Sequence, residues 1–261
     1  MTRSRSIAIA LVAILAIGAG GYLAYVNVLQ GDDVAPLALP SASAAAVDPT
    51  AGASADPAAS VDPSASTDPT AAASADPGSD AVSGTWTATT GSLAGYRVRE
   101  QLANLPAESD AVGRTSDVTG SLTVEGSGDA YQVTAGTIEI DTTTIVSDED
   151  RRDDRMREEG LQTDQFPTAS FTLTQPLDVP AAVLDGTPAE VTLVGDLTLH
   201  GVTKAVEIPA QAQLANGQIA VAGSLTFALS DFEITAPNVG GFIVSIADEG
   251  ALEFSVVFVK G

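Results

Sequence analysis

The chain has 261 residues, a formal net charge of −23 at pH 7 and no cysteine. Without cysteine there are no disulfides, no thiol chemistry, no cysteine metal sites and no lipidated N-terminal cysteine. The acidic balance argues against nucleic acid as a partner and against electrostatic attachment to anionic membranes, since both repel a chain of that sign.

The first element is Ile7–Leu29, 23 residues without a charge, long enough to cross a bilayer as a helix. Arg3 and Arg5 precede it, and Asp32 and Asp33 follow it. The positive-inside rule then places residues 1–6 in the cytoplasm and the rest of the chain outside the cell membrane. The alternative is a cleaved signal peptide ending near Gly18–Gly21, followed by secretion. Tyr22, Leu23, Tyr25, Val26 and Val28 prolong the apolar run, which favours a retained, single-pass anchor.

Residues 30–83 form a low-complexity stretch. Asp-Pro recurs at 48–49, 56–57, 62–63, 68–69 and 76–77 among Ala, Ser and Thr. Such a composition lacks the bulky apolar side chains needed to offset ordering entropy, and its prolines block helix interiors. It predicts a disordered linker, spanning roughly 40 Å as a flexible coil.

Residues 84–261 carry the only folded domain expected. They hold 26 acidic and 9 basic side chains, a net charge of −17. Apolar residues recur at every second position in Leu122–Val124, Ile138–Ile140, Ala169–Leu173, Val191–Leu199, Ile219–Leu229 and Leu252–Phe258. Gly, Pro or Asn-Gly clusters separate these runs. Short alternating strands with turn signals between them predict an all-β antiparallel sandwich or barrel with one wet face. His200-Gly201 and Asn216-Gly217 read as two tight hairpin turns.

One segment departs from this pattern. Ser147 reads as an N-cap, with Asp150 closing a capping box and Gly160 ending the helix. Asp148–Arg152 and Asp153–Arg157 read as i,i+4 pairs. Only Met156 and Leu161 would attach this helix to the domain.

No catalytic or metal-binding constellation emerges. His200 is the only histidine, has no partner at ligand spacing and reads as a turn residue. The carboxylates of Asp148–Asp154 lack the glycine and ligand alternation of a calcium loop. No nucleophile elbow, phosphate loop or zinc helix motif occurs. The expectation is a non-enzyme without cofactor or metal.

Two stretches carry a family resemblance. The run G-D-L-T-L-H-G-V-T-K over Gly195–Lys204 resembles the signature of the YceI-like family. So do Arg152-Asp153, Met156-Arg157, Leu161 and Phe166–Phe171, with Ile138–Thr144 before them. Gly120–Val124 and Leu229–Ile234 match more loosely, and the resemblance covers roughly Gly84 to Lys260. Arg155 stands where family members often carry His. The resemblance implies an eight-stranded antiparallel, lipocalin-like barrel with one short helix, enclosing an apolar tunnel for a polyisoprenoid lipid.

The inward residues expected to line that tunnel, and so to bind ligand, are Ile138, Ile140, Phe171, Leu173, Leu193, Leu197, Leu199, Phe227 and Phe254. Alternation alone leaves a filled barrel open as the alternative, with an envelope interaction or stress-related scaffold role. The leading expectation is a membrane-tethered extracytoplasmic protein that binds or carries a long isoprenoid or quinone-like lipid. Its few cations, with Arg151, Arg152, Arg155 and Arg157 crowded among carboxylates, point to an uncharged lipid head rather than a pyrophosphate. Sequence leaves the oligomeric state undecided.

Overall fold

The computed structural model describes residues 34–40, 82–102, 108–237 and 243–261. The expected anchor over 7–29, the segment 1–6 and most of the linker expected over 30–83 lie outside these residues. Among the described residues no helix is long and apolar enough to cross a membrane.

The elements are β1 (Gly84–Ala88), β2 (Leu93–Leu102), β3 (Glu108–Thr115), β4 (Val118–Ser127), β5 (Ala130–Asp141), α1 (Asp150–Arg155), β6 (Thr168–Leu173), β7 (Leu177–Asp178), α2 (Ala181–Leu184), β8 (Ala189–Leu199), β9 (Val202–Ala215), β10 (Gln218–Ala228) and β11 (Ile243–Lys260). Neighbours run β1-β4-β5-β6-β8-β9-β10-β11, and β11 pairs again with β1 to close the ring. Lower on β11, its partner is β2, which pairs with β3. β1 and β2 are therefore two halves of one bent stave, as are β3 and β4. The result is the eight-stranded antiparallel barrel, closed by the β1–β11 pairing, with β3 bridged on its other side only at Arg114–Val146.

Both anticipated hairpin turns occur. His200 and Gly201 have φ of 51° and 75°, and Asn216 and Gly217 have φ of 53° and 73°. Two successive positive-φ residues match the right-handed twist of the strands they join. The register Phe171↔Leu197, Leu193↔Ile208 and Val221↔Ala212 puts the alternating apolar residues on one inner face. On β5 a bulge opposite Thr123 and Val124 shifts the phase by one residue, so Val133 and Tyr131 also pack with the core.

The helix differs from its sequence reading in three details. It begins at Asp150, with Glu149 at the cap and no side-chain capping bond. Ser147 instead donates its hydroxyl to Asp153 Oδ1 at 2.6 Å, and its backbone N–H goes to the same carboxylate. Asp153 is buried, so the carboxylate serves as a fixed acceptor for the incoming chain rather than as a partner for Arg157. Arg157 pairs with Asp154 at 3.6 Å. A π-turn over Met156–Gly160 follows α1, and Gln162, at φ 49°, is the left-handed residue beyond it. Gly160 matters instead for space: a Cβ there would lie 3.1 Å from Met156 Sδ.

A larger correction concerns Val34–Pro40. This stretch falls within the linker expected to be disordered, yet it lies against the outside of the barrel. Arg97 Nη2 donates to the Val34 carbonyl at 2.8 Å, Arg114 Nη2 donates to the Ala35 carbonyl, and the Leu37 N–H reaches Glu253 Oε2 at 3.4 Å. Leu37 and Leu39 are half-buried. The domain also starts slightly before Gly84, since Trp86 donates its indole N–H to the Val82 carbonyl.

Candidate functional site: an apolar line through the barrel

Inward side chains do not close the interior. Four separate spaces that share wall residues follow one another along the barrel. The largest gives about 110 Å³ of room to the centre of a water-sized body, and its wall includes Leu122, Val133, Leu173, Leu177, Val191 and Phe258. The next shares Ile138, Phe171, Leu193 and Phe254 with it and adds Ile140, Leu197 and Ile208. A third shares Ile140 and Leu252 with the second and adds Leu199, Phe227 and Met156. The last shares Tyr96, Val98 and Leu229 with the third and ends against Glu100 and Arg152. Ile219 lines the first space and Phe227 the third. Eight residues of one strand separate them, about 26 Å along its axis.

Each of the nine residues expected to face inward lines one of these spaces. Leu173 belongs to the first, Ile138, Phe171, Leu193 and Phe254 to the first and second, Leu197 to the second, Ile140 to the second and third, and Leu199 and Phe227 to the third. Several of them, Phe171, Leu193 and Phe227 among them, are only half-buried although they face inward. Well-packed cores close such gaps, because each missing contact forfeits dispersion energy and leaves a cavity cost.

The two ends differ in chemistry. At one end α2 presents Val183 and Leu184, with Val82, Val179 and Pro180 beside them, and no charged side chain lines the space. At the other end, β2 carries Tyr96, Val98 and Glu100 on its inner phase, and α1 lays Arg152 over them. Arg152 Nη2 bonds Glu100 Oε1 at 2.7 Å, and Nη1 bonds Asp148. Burial works against the guanidinium charge, but Glu100 and Asp148 more than compensate and raise its pKa. Arg152 is thus neutralised twice over by carboxylates. The Tyr96 hydroxyl is buried and has no hydrogen-bond partner among the described residues. Burial is the main cause that holds its proton in place and raises its pKa, so it is an O–H donor at neutral pH. Gly113 makes room for this ring, since a Cβ there would lie 2.4 Å from Tyr96 Cε1.

Sequence reasoning missed Tyr96, Glu100 and the α2 residues. The inner phase of β2 was hidden because Arg97, Arg99 and Gln101 alternate with it and no long apolar run signals a strand. Arg97 and Arg99 face outward, away from the interior, toward Asp110, Glu108 and Glu253. Arg155, in the position where the resemblance suggests His, is half-exposed and pairs with Glu159. His200 is a buried turn residue: its Nδ1 lies 3.0 Å from the Phe232 carbonyl and its ring meets Phe166 edge-on. Among the described residues no cluster of three or more His, Asp or Glu could hold a metal.

Comparison with known proteins places this arrangement. A family model described as a YceI-like domain matches residues 78–258. A UPF0312 protein of Shewanella denitrificans is 33% identical over 133 residues, covering 47% of this chain and 63% of its own length. Another, from Shewanella putrefaciens, is 34% identical over the same length and with the same coverage. The chain thus spans somewhat less than two thirds of these relatives. A polyisoprenoid binding domain from Saccharophagus degradans, implicated in plant cell wall breakdown, superposes with a TM-score of 0.51. It is 17% identical, and the match covers 68% of this chain and 98% of that one.

Proposed function

Because the chain belongs to the family of YceI-like domains and its barrel holds a line of largely apolar spaces, we propose that it binds one long isoprenoid-type lipid along the barrel interior, without catalysing a reaction. The observation that carries this reading is the succession of the four spaces, neighbours parted only by shared wall residues such as Ile138, Phe171, Ile140 and Leu252. A linear hydrocarbon fits that shape, whereas a compact solute would use one space only. Each CH₂ removed from water contributes about 0.8 kcal/mol, so a long tail needs no polar recognition to bind tightly. The fold-level likeness to a polyisoprenoid binding domain supports the same ligand class. The uncharged run Ile7–Leu29 supports a tether in the cytoplasmic membrane, with the barrel outside.

The Tyr96 end favours an uncharged head. A pyrophosphate needs unpaired cationic donors, preferably arginine forks. The Arg152 charge is already offset by Glu100 and Asp148, so its unpartnered Nε and the Tyr96 O–H are suited to a carbonyl or hydroxyl oxygen rather than to a dianion. The test is mass spectrometry of an organic extract from natively purified full-length protein, followed by competition between tail-matched neutral and pyrophosphorylated lipids. A co-purifying prenyl lipid, displaced better by a quinone or free prenol than by the pyrophosphate, is the expected result. Absence of any apolar extract, together with failure of all tail-matched lipids to bind, would overturn the carrier reading. Tenfold tighter binding of the pyrophosphate, about 1.4 kcal/mol, would overturn the head preference alone.

A further inference from the structure

Residues 30–83 read from sequence as a spacer between anchor and barrel, but Val34–Pro40 already touches the barrel. The contact is held by several hydrogen bonds, although Arg114 Nε has no partner among the described residues. Arg97 spends Nε on Glu253, Nη1 on Asp110 and Nη2 on the Val34 carbonyl. Arg114 gives Nη2 to the Ala35 carbonyl and to Glu253. The Leu37 N–H shares Glu253 Oε2 with Arg114 and Arg97. Leu37 and Ala38 then wall a groove over Thr192, Pro209, Gln211, Ala222 and Ser224. The segment thus crosses the barrel from β3 and β2 over β11 and β10 to β9 and β8. At the other end of the linker, Val82 packs against the core. Ala38, at the groove, and Val82, against the core, thus both sit on the domain on either side of residues 41–81.

We infer that Val34–Pro40 is a docking strap that shortens the tether and holds the barrel at the head-group layer of its own membrane. The inference rests on the tether read from Ile7–Leu29. Five Cα steps separate Leu29 from Val34, a reach of at most about 18 Å. A free chain over 30–83 would place the barrel roughly 40 Å away on average, with a much longer maximum reach. The strap also opposes the charge of the domain. A barrel of net charge −17 on a long leash would be held off an anionic bilayer, whereas a short leash keeps it in contact. The partner surface is therefore the bilayer that supplies the lipid, and 41–81 adds no length to the connection.

The discriminating experiment compares two insertions in the full chain, reconstituted in phosphatidylcholine–phosphatidylglycerol vesicles. Thr119, exposed on β4, becomes the single dye site through Thr119→Cys in this cysteine-free chain. Energy transfer to a head-group dye reports height above the bilayer. Forty Gly/Ser residues inserted between Asp33 and Val34 should lower transfer strongly, since 45 steps of flexible chain span roughly 37 Å. The same forty residues between Thr67 and Asp68 should leave transfer unchanged. Neither insertion alters the strap or the barrel, so both proteins should keep the parent melting temperature. Equal loss of transfer from the two insertions would overturn the strap while leaving the tether intact. Release of the parent protein by carbonate would overturn the tether, and the inference with it, while leaving lipid binding by the barrel to be measured in solution.

Discussion

Both faces of β11 are buried, by opposite chemistries. Phe254, Val256 and Phe258 face the interior and line its first space, whose wall carries no charged side chain. Glu253, the residue beside Phe254, faces outward and is 4% exposed. Its carboxylate is held by Arg97 and Arg114 and by the strap. The interior tolerates missing atoms because space is already part of its design. The outer cluster is less forgiving, because removal of Glu253 takes from Arg114 its carboxylate and from Arg97 one of its two.

That contrast sets an order of effects. Glu253→Ala should be the most damaging substitution, by about 3–4 kcal/mol, since it removes a buried carboxylate that binds two guanidinium groups and the strap, leaving Arg97 with Asp110 and Arg114 with the Ala35 carbonyl alone. Chemical denaturation of the variant measures this, and a loss under about 1 kcal/mol would show that the cluster is effectively solvated. Phe171→Ala comes next. A fully buried Phe costs roughly 3–5 kcal/mol to truncate, but this ring borders space that already exists, so about 2–3 kcal/mol is expected. Its outward neighbour Thr172 should tolerate Ala within about 0.5 kcal/mol, and equal effects at the two sites would break the assigned register.

Deleting Val34–Pro40 should cost about 2 kcal/mol, or 4–8 °C of melting temperature. Deleting 41–81 should change the melting temperature by no more than a degree or two. Reversal of that order would return the segment to the role of a plain spacer. The smallest effect belongs to the exposed Lys204–Asp231 pair at 2.7 Å. The Lys204 ammonium, by hydrogen bond and charge, lowers the Asp231 pKa below its ordinary 3.8. The pair therefore supports the fold above that ordinary value, and the support fades as pH falls through the depressed one. Asp231→Asn should melt slightly below the parent at pH 7 and together with it near pH 2.

Legibility in the sequence followed the range of the signal. The β8–β9 and β9–β10 turns were readable because His200-Gly201 and Asn216-Gly217 specify their backbone locally. The inner lining was readable because period-2 alternation fixes phase without knowledge of partners. Tyr96 and Glu100 were not, because β2 reaches its inner phase with Ala94, Tyr96, Val98 and Glu100, a mixture that only the pairing with β11 and β3 makes meaningful. Ser147 was misassigned because a cap motif and a buried acceptor use the same residue types, and burial of Asp153 decides between them. The strap was invisible for a similar reason. Leu37 and Leu39 alternate, but two leucines among alanines and prolines carry weight only when Arg97, Arg114 and Glu253 stand opposite, more than sixty residues away.

Glycine decides how wide the interior is. Three inward glycines each lie beneath an aromatic ring from the neighbouring strand. A Cβ on Gly195 would meet Phe171 Cζ at 2.5 Å, one on Gly223 would meet Phe254 Cζ at 2.8 Å, and one on Gly113 would meet Tyr96 Cε1 at 2.4 Å. The rings rest on bare backbone of the wall and so stay out of the bore, while still covering apolar surface. These three contacts act as gauge blocks. A single methyl at Gly195 would also lie 2.3 Å from the Thr172 carbonyl, so it would push the wall of β6 along with the Phe171 ring, and the bore would narrow at its middle.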